Sequence, residues 1–518
     1  MNAITANGLK PTTAYDVIIA GAGPVGLFLA CELALAQCTV LVLEKADQAP
    51  APLKQLPFGI RGLSAPTIEA LYRRNLLGEL QLHQQMKNPH QNAKQGAQRQ
   101  VGHFAGIPIT EGHVDSSRWT RRLPGATPSS LISSIDELET VFTRRALELG
   151  VEIQYGQALT GFEQANAEVQ VYCSDQAFKA QWLVGCDGSR SIVRKAGGFT
   201  FAGTEPEFTG YSTRMELDDA SLLKPGRNVT ARGMYLQSQP GYIMIQDFDG
   251  GAFHSSGLPV TRAHIQEVLR RVSGTDVTVT DLQVATSWTD RARQATAYRK
   301  GRVLLAGDAA HIHSPLGGQG LNLGLGDAIN LGWKLAAVIG GRAPEHLLDS
   351  YDTERHPIGA AVLDWSRAQV ALMQPTAAAR ALYAIVGDLL DTCDGATYVA
   401  GRIWGIDMHY KLEGAHPLTG YSMPAFTLEH GAHAGSYLQS GRGLLLDFEV
   451  NPALQSLVTR YSQALQYIPG KAADRQEVSA LLVRPDGMVA WACDGDTDLA
   501  ALEKALGTWF MPDNGTGH

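Results

Sequence analysis

The chain is poor in the features that mark several protein classes. Its 518 residues include six cysteines, at positions 31, 38, 173, 186, 393 and 493, and no two form a CxxC pair. Thiol–disulfide exchange needs neighbouring thiols and a disulfide-built fold needs denser ones, so neither fits, and a cytoplasmic, reducing location is expected. Lysine and arginine total 43 against 51 aspartates and glutamates, a formal charge of −8 without any basic run. That balance argues against a nucleic-acid partner. Long apolar runs are also scarce. The one at residues 17–36, VIIAGAGPVGLFLACELALA, is interrupted by Gly21, Gly23, Pro24 and Gly26 and contains Glu32. Asp16 directly precedes it and only Lys10 supplies basic charge upstream, so neither a membrane span nor a signal peptide is expected. With 44% hydrophobic and 18% charged residues the chain is a folding one. At ~150 residues per domain it holds two to four domains.

The apolar run belongs to YDVIIAGAGPVGLFLACELALAQCTVLVLEK, which reads as strand, tight turn, helix, strand. Gly21, Gly23 and Gly26 form GxGxxG where the helix opens at Pro24. Such glycines give a tight turn, close approach of backbone to a pyrophosphate, and close helix–strand packing. The first-turn N–H groups then face the phosphates. Glu44, with Lys45 beside it, ends the second strand, where a carboxylate can accept ribose hydroxyls. These residues are the candidate dinucleotide contacts, and FAD and NAD satisfy the motif equally.

Two later stretches repeat the strand-then-turn pattern. WLVGCDGSRSIVRKAGG (182–198) places Asp187 after a strand, with Ser191 and Arg194 opening a helix. VLLAGDAAH (303–311) places Gly307 and Asp308 after another, and PLGGQG (315–320) follows. GxGxxG, then DGxxSxxR, then GDAAHxxxPxxGxG resembles the class A flavoprotein monooxygenases of the para-hydroxybenzoate hydroxylase-like fold, over about residues 14–370. The resemblance implies noncovalent FAD, with Asp308 on a ribityl hydroxyl and Asp187 near the pyrophosphate. It sets Pro315 beside the flavin ring, and Gly317, Gly318 and Gly320 at its pyrimidine edge, with Leu321 and Asn322 opening the helix behind. FGIRGLSAPTIEALYRRNLLGEL (58–80) matches the same family and would set Arg61 near the flavin; the alternative is a helix-capping surface arginine. Arg61 and Pro315 are the two residues expected to take part in catalysis. The chain departs from the family at Ile135, where relatives carry a cofactor-touching glutamine. Either Ser134 substitutes or the contact is absent. His311 and His313 lack a third ligand at metal-binding spacing, and no metal is expected.

The fold class expected is α/β: a Rossmann-like FAD-binding domain, an inserted β-sheet substrate domain and a C-terminal thioredoxin-like domain. Residues 1–200 form the first part of the FAD domain, with 82–128 lending a mobile flap and strands to the substrate domain. Residues 201–289 form the substrate sheet, 290–400 the second part of the FAD domain and its long helices (helical to about 393), and 415–518 the tail. The tail places a helix near 451–464 and a hairpin turn at Pro485-Asp486-Gly487, and resembles that of phenol, rifampicin and polyketide hydroxylases. Its single Cys493 gives it a structural task. Tyr235, Tyr242, Met244, Phe253 and His254 either face a substrate or pack within the sheet.

The function implied is insertion of one oxygen of O2 into a phenolic or polyketide-like aromatic through a flavin C4a-hydroperoxide, with NADPH or NADH as transient reductant. The cofactor carries that chemistry, so the lack of a Ser-His-Asp set or paired carboxylates is consistent with it. The alternatives are Baeyer–Villiger oxygenation of a related aromatic ketone and a non-catalytic flavin-binding protein that sequesters its ligand. The chain is expected to act as a monomer or homodimer, without nucleic-acid or membrane partners.

Overall fold

Continuous apolar runs become the buried strands of a parallel sheet, as expected where helices cover both faces. The computed structural model describes residues 14–47, 51–85, 100–119, 127–174, 176–475 and 477–513. The chain opens with β1 (Ala14–Ala20), α1 (Pro24–Leu35) and β2 (Val40–Leu43), so the long apolar run divides into a strand and a helix. Among the described residues no helix is long and apolar enough to cross a membrane. Next come β3 (Ile60–Ser64), α2 (Ala65–Arg73), and a hairpin of β4 (Gln100–Phe104) and β5 (Ile107–Thr110). Then β6 (Ser130–Ser134), paired with β3, runs into α3 (Ile135–Glu148). Residues 86–99 and 120–126 of the expected flap lie outside the described residues. After β7 (Ala177–Gly185) and the short α4 (Ile192–Ala196), the chain leaves for a second sheet.

That sheet is antiparallel and five-stranded. It comprises β8 (Thr209–Leu217), β9 (Gly226–Val229), β10 (Gly233–Gln239), β11 (Tyr242–Asp247) and, after α5 (Arg262–Ser273), β12 (Val279–Thr289). The strand order is β9-β10-β11-β8-β12. Period-2 alternation sends Tyr211, Met215, Ile243 and Ile245 to one face, where they pack on Ile265, Val268 and Leu269 of α5. The other face is free to meet the dinucleotide unit.

The chain returns as β13 (Val303–Leu305) and α6 (Gln319–Ile339), followed by α7 (Asp349–Met373), α8 (Ala377–Leu390) and α9 (Cys393–Trp404). The helical region runs past the expected end near 393 because Thr392 caps a further helix, its hydroxyl accepting the Gly395 N–H. In the first sheet β13, β7, β1 and β2 lie side by side and parallel. The tail adds β14 (Gly443–Asp447), α10 (Pro452–Val458), β15 (Leu465–Pro469), β16 (Val478–Val483), β17 (Val489–Asp494) and α11 (Leu499–Trp509), in strand order β15-β14-β16-β17. β14 and β15 are parallel around α10, while β16 and β17 form a hairpin over the Pro485-Asp486-Gly487 turn. α10 is shorter than the sequence suggests, giving way to a 3-10 turn at Thr459–Tyr461.

The tail is tied to the rest by buried charge. Arg484, fully buried, makes paired hydrogen bonds of 2.7 and 2.8 Å to Glu354 of α7 and also holds Asp486. Lys334 and Asn330 of α6 complete the ring around Glu354. Arg74 pairs with Glu32 and donates to the Leu438 and Pro485 carbonyls of the tail.

Candidate active site

The register of the parallel sheet brings the three sequence motifs to one edge. Ala20 lies opposite Leu43 and Gly185, and Gly185 opposite Leu305. The residues that follow these strand ends are Gly21, Glu44, the Cys186-Asp187 pair and the Ala306-Gly307 pair. They therefore emerge side by side at the carboxyl ends of parallel strands, where open α/β sheets bind ligands.

At this edge each glycine meets a different constraint. Gly21 has φ +106°, and a Cβ there would lie 2.4 Å from the Cys186 carbonyl oxygen. A Cβ on Gly26 would lie 2.1 Å from the Gly21 oxygen, so α1 could not approach the turn. Beside Gly23 there is nothing within 4 Å: that position faces open space at the N-terminus of α1. Glu44 accepts from the Ala22 N–H at 2.8 Å and the Ala46 N–H at 2.9 Å, one bond per oxygen, leaving each a further lone pair. Lys45 beside it is exposed.

Asp187 caps α4 through one oxygen, accepting from Ile192 and Val193 N–H at 2.6 and 3.1 Å. Its Oδ1 is buried without a partner among the described residues. An orphaned buried acceptor calls for a ligand or water donor. Arg194 donates to the Ser189 and Ala309 carbonyls and so clamps the Asp187 loop to the Gly307-Asp308 turn. Asp308 presents its carboxylate to solvent but is ringed by dense protein, and that crowding pushes its pKa up despite the opposing pull of His311 and Arg61. Arg61 is half-buried on β3, its guanidinium donating to the Phe58 and Ile60 carbonyls and held in the field of Asp308. It is not a surface helix cap.

The glycine loop follows. Pro315 is exposed at the start of a 3-10 turn (Pro315–Gly317), and Gly318, at φ +64°, opens α6 with nothing within 4 Å of its Cβ position. A Cβ on Gly317 would lie 3.1 Å from the Gln369 amide nitrogen, and one on Gly320 3.3 Å from His313. Leu321 is half-buried against the sheet core. Asn322 spends its amide on β3, accepting from Ser64 N–H and donating to the Gly62 carbonyl. Ser134 is occupied too, its hydroxyl accepting the Glu137 N–H as the cap of α3. Ile135, at the first position of that helix, donates its backbone N–H to the Gly59 carbonyl.

Sequence reasoning missed the support beneath this loop. Asp327, fully buried in α6, accepts from the Gly307 N–H at 3.0 Å, His311 Nε2 at 2.7 Å and Arg355 Nε at 2.8 Å. Burial raises its pKa, but His311 and Arg355 outweigh that and hold the carboxyl below its ordinary value. His311 thus orients a turn. His313 donates to the Ser314 carbonyl, and burial drives its pKa down to about 4. Gln369 of α7 accepts from the Ala105 N–H and so joins the β4–β5 turn to Gly317.

The free face of the antiparallel sheet lies opposite. Tyr242 meets Phe58 at 5.4 Å, and Met234, Leu236 and Trp288 share an apolar cluster with Leu316 of the glycine loop. Tyr235 points the other way, into the α5 core, with its hydroxyl accepting the Lys224 N–H. Met244 shares the free face with Tyr242, whereas Phe253 stacks on His264 and His254 bonds Ser287. A cavity of about 120 Å³ lies behind α6, between α2, α7 and the tail; Gln319 and Asn322 at the start of α6 line it, but Gly21, Glu44, Asp187 and Gly307 do not. Among the described residues there is no cluster of three metal-ligating side chains.

A parallel sheet with GxGxxG at one strand end, an acid closing the next and a glycine loop on a third, facing an antiparallel sheet, defines a dinucleotide-binding flavoprotein. Residues 14–366 match the family model of the FAD binding domain, and residues 416–512 that of the aromatic-ring hydroxylase C-terminal domain. The chain belongs to the FAD-binding aromatic-ring hydroxylases, a monooxygenase family. A monooxygenase of Claviceps purpurea (strain 20.1) is 43% identical, over 96% of this chain and 97% of that one. The solved anhydrotetracycline hydroxylase OxyS of Streptomyces rimosus is 35% identical with a TM-score of 0.84, covering 97% of this chain and all of its own. A dialkyldecalin synthase of Streptomyces rugosporus is 33% identical, over 96% of this chain and 99% of that one.

Proposed function

We propose that the protein hydroxylates a fused, polyketide-type aromatic, consuming NADPH or NADH and one O2 and releasing water and NAD(P)+. One observation carries this reading. A strand edge with open glycine positions and the orphaned Asp187 acceptor faces a sheet whose free side holds aromatic and apolar side chains. Those residues fit FAD. Gly23 would receive its pyrophosphate at the turn that Gly21 and Gly26 make possible, Glu44 its ribose and Asp308 its ribityl chain. The Gly318–Gly320 backbone and the α6 N-terminus would support negative charge on the ring. Bound there, flavin supplies dioxygen activation and oxygen-atom transfer. Arg61 and Pro315 would flank the ring, and the apolar cluster around Leu316 would exclude water. The likeness to OxyS supports a multi-ring substrate.

The test is product analysis under labelled dioxygen, with NADPH or NADH and a panel of naphthols, anthraquinones and tetracyclic phenols. The expected outcome is substrate-stimulated NAD(P)H oxidation and a product carrying one labelled oxygen as a new phenol. Label in a lactone bridge would mean Baeyer–Villiger chemistry. An unlabelled product, or no product with any aromatic, would overturn the reading.

A further inference from the structure

The register of the antiparallel sheet orders its free face. Arg227, Leu236 and Met244 lie in one cross-strand row, and Met234, Gln246 and Gly210 in the next. Ser212 continues the first row and accepts from the Trp288 indole N–H, whereas two polar members of these rows, Arg227 and Gln246, have no protein partner among the described residues. Gln246 is fully buried, and both atoms of its side-chain amide lack a hydrogen bond among the described residues. Arg227 is half-buried and makes no hydrogen bond or ion pair among them either. Buried amides and unneutralised guanidinium groups are costly to keep unless a partner arrives.

The surroundings of Arg227 are built. Its side chain crosses the β4–β5 turn, where a Cβ on Gly106 would lie 2.4 Å from its Cδ. Tyr383 of α8 and His103 of β4 lie within the field of its charge, and among the described residues it pairs with no carboxylate. His103 accepts the Gly106 N–H through Nδ1 at 3.3 Å, which puts its ring proton on Nε2. Burial, reinforced by the Arg227 charge, lowers the His103 pKa to about 4, so at neutral pH it is an uncharged donor. A cation and two neutral donors therefore meet beside an aromatic cluster that includes Phe104 and Trp365, 4.5 Å apart. Two strands and one row separate Arg227 from Gln246, about 12 Å between Cα atoms from standard sheet spacings.

We propose that Arg227, with His103 and Tyr383, forms a subsite for an oxyanion attached to the substrate's ring system, and that Gln246 takes a neutral carbonyl or hydroxyl of the same molecule. The substrate class is thus an anionic fused aromatic, bearing a carboxylate or an enolate. This rests on the hydroxylase reading for what happens next, but binding can be tested without turnover.

The experiment is titration calorimetry on the full-length protein at neutral pH with three probes. These are 3-hydroxy-2-naphthoate (a carboxylate), 2-hydroxy-1,4-naphthoquinone (an enolate) and 2-naphthol (uncharged). A charged hydrogen-bond partner predicts binding of at least one anion about tenfold or more tighter than 2-naphthol. Arg227→Met should erase that preference while leaving 2-naphthol within about twofold, which also reports an intact fold, and Arg227→Lys should retain part of it. The anion whose affinity falls further identifies the source of the charge. Equal affinities in the unmodified protein, failure to bind either anion, or a preference surviving Arg227→Met would overturn the proposal. A protein purified without flavin would defeat the hydroxylase reading, yet the same titrations would still decide Arg227.

Discussion

Replacing Arg484 with methionine tests the junction between the tail and the flavin domain. The guanidinium is fully buried, paired with Glu354 at 2.7 and 2.8 Å, bonded to Asp486 and seated 4.4 Å from the Trp509 ring centroid. Methionine keeps much of the packing but leaves Asp486 with the Met488 N–H and Glu354 with Lys334 and Asn330. Removing one partner of a buried ion pair costs about 3–5 kcal/mol, because the other charge stays desolvated. With a guanidinium chloride slope of roughly 2–6 kcal/mol/M, the unfolding midpoint should fall by roughly 1 M. Trp333 and Trp509, with ring centroids 6.5 Å apart, report the transition by fluorescence. The pH dependence carries the same signature. Burial raises the Glu354 pKa, but Arg484 and Lys334 overcome this and hold it at about 2, against 4.5 ordinarily. A depressed carboxyl stabilises the fold fully above the unfolded value and loses that contribution as pH falls from 4.5 towards 2. The variant should show a shallower loss across that window, and adding Glu354→Gln should recover part of the stability. A midpoint shift below about 0.2 M, corresponding to ~1 kcal/mol or less, would refute the account.

Three further outcomes are expected. Gly23→Val should fold normally, since φ is −74° and no atom lies within 4 Å of the new Cβ, but should lose its flavin colour; a folded variant retaining stoichiometric FAD would contradict the assignment. Asp308→Ala should weaken FAD by roughly 1–3 kcal/mol, read as a rise in Kd of about five- to 150-fold by flavin-fluorescence titration; an unchanged Kd would remove Asp308 from the site. Cys493→Ser should leave turnover within about twofold, ~0.4 kcal/mol in barrier, because this free, half-buried thiol has its pKa raised by burial; a large loss in a folded variant would give the tail a redox role.

What the sequence made legible was local. VIIA, VLVL and VLL are continuous apolar runs, the mark of strands buried on both faces, and glycine spacing fixed the turns after them. The likeness of three such turns to one family, in one order, then supplied an architecture that periodicity alone would have left open. The missed parts are contacts between distant positions. Asp327 sits in the apolar helix DAINLGWKL, and a lone carboxylate there is a signal that something charged must meet it, but sequence does not say that His311 and Arg355 do. Asn322 and Ser134 show the converse: the resemblance offers each as a possible cofactor contact, and each has its side chain engaged by neighbouring backbone. Tyr235 lies on the α5 side because strand parity, and not aromatic character, decides which face a residue serves.

The Pro485-Asp486-Gly487 turn marks the boundary between these two kinds of information. Its chemistry announces a hairpin, and the hairpin is there. Nothing local explains why such a turn should be buried, with Arg484 beside it carrying a full charge. The reason lies 130 residues away on α7, where Glu354 awaits that charge next to Lys334 and Asn330 of the helix that begins at the glycine loop. A hairpin tip is therefore joined to the scaffold of the candidate active site through buried Arg484, beside the bond from Arg74 to the Pro485 carbonyl. Any effect of the tail on flavin binding should accordingly travel through Glu354 and α6 rather than through a thiol.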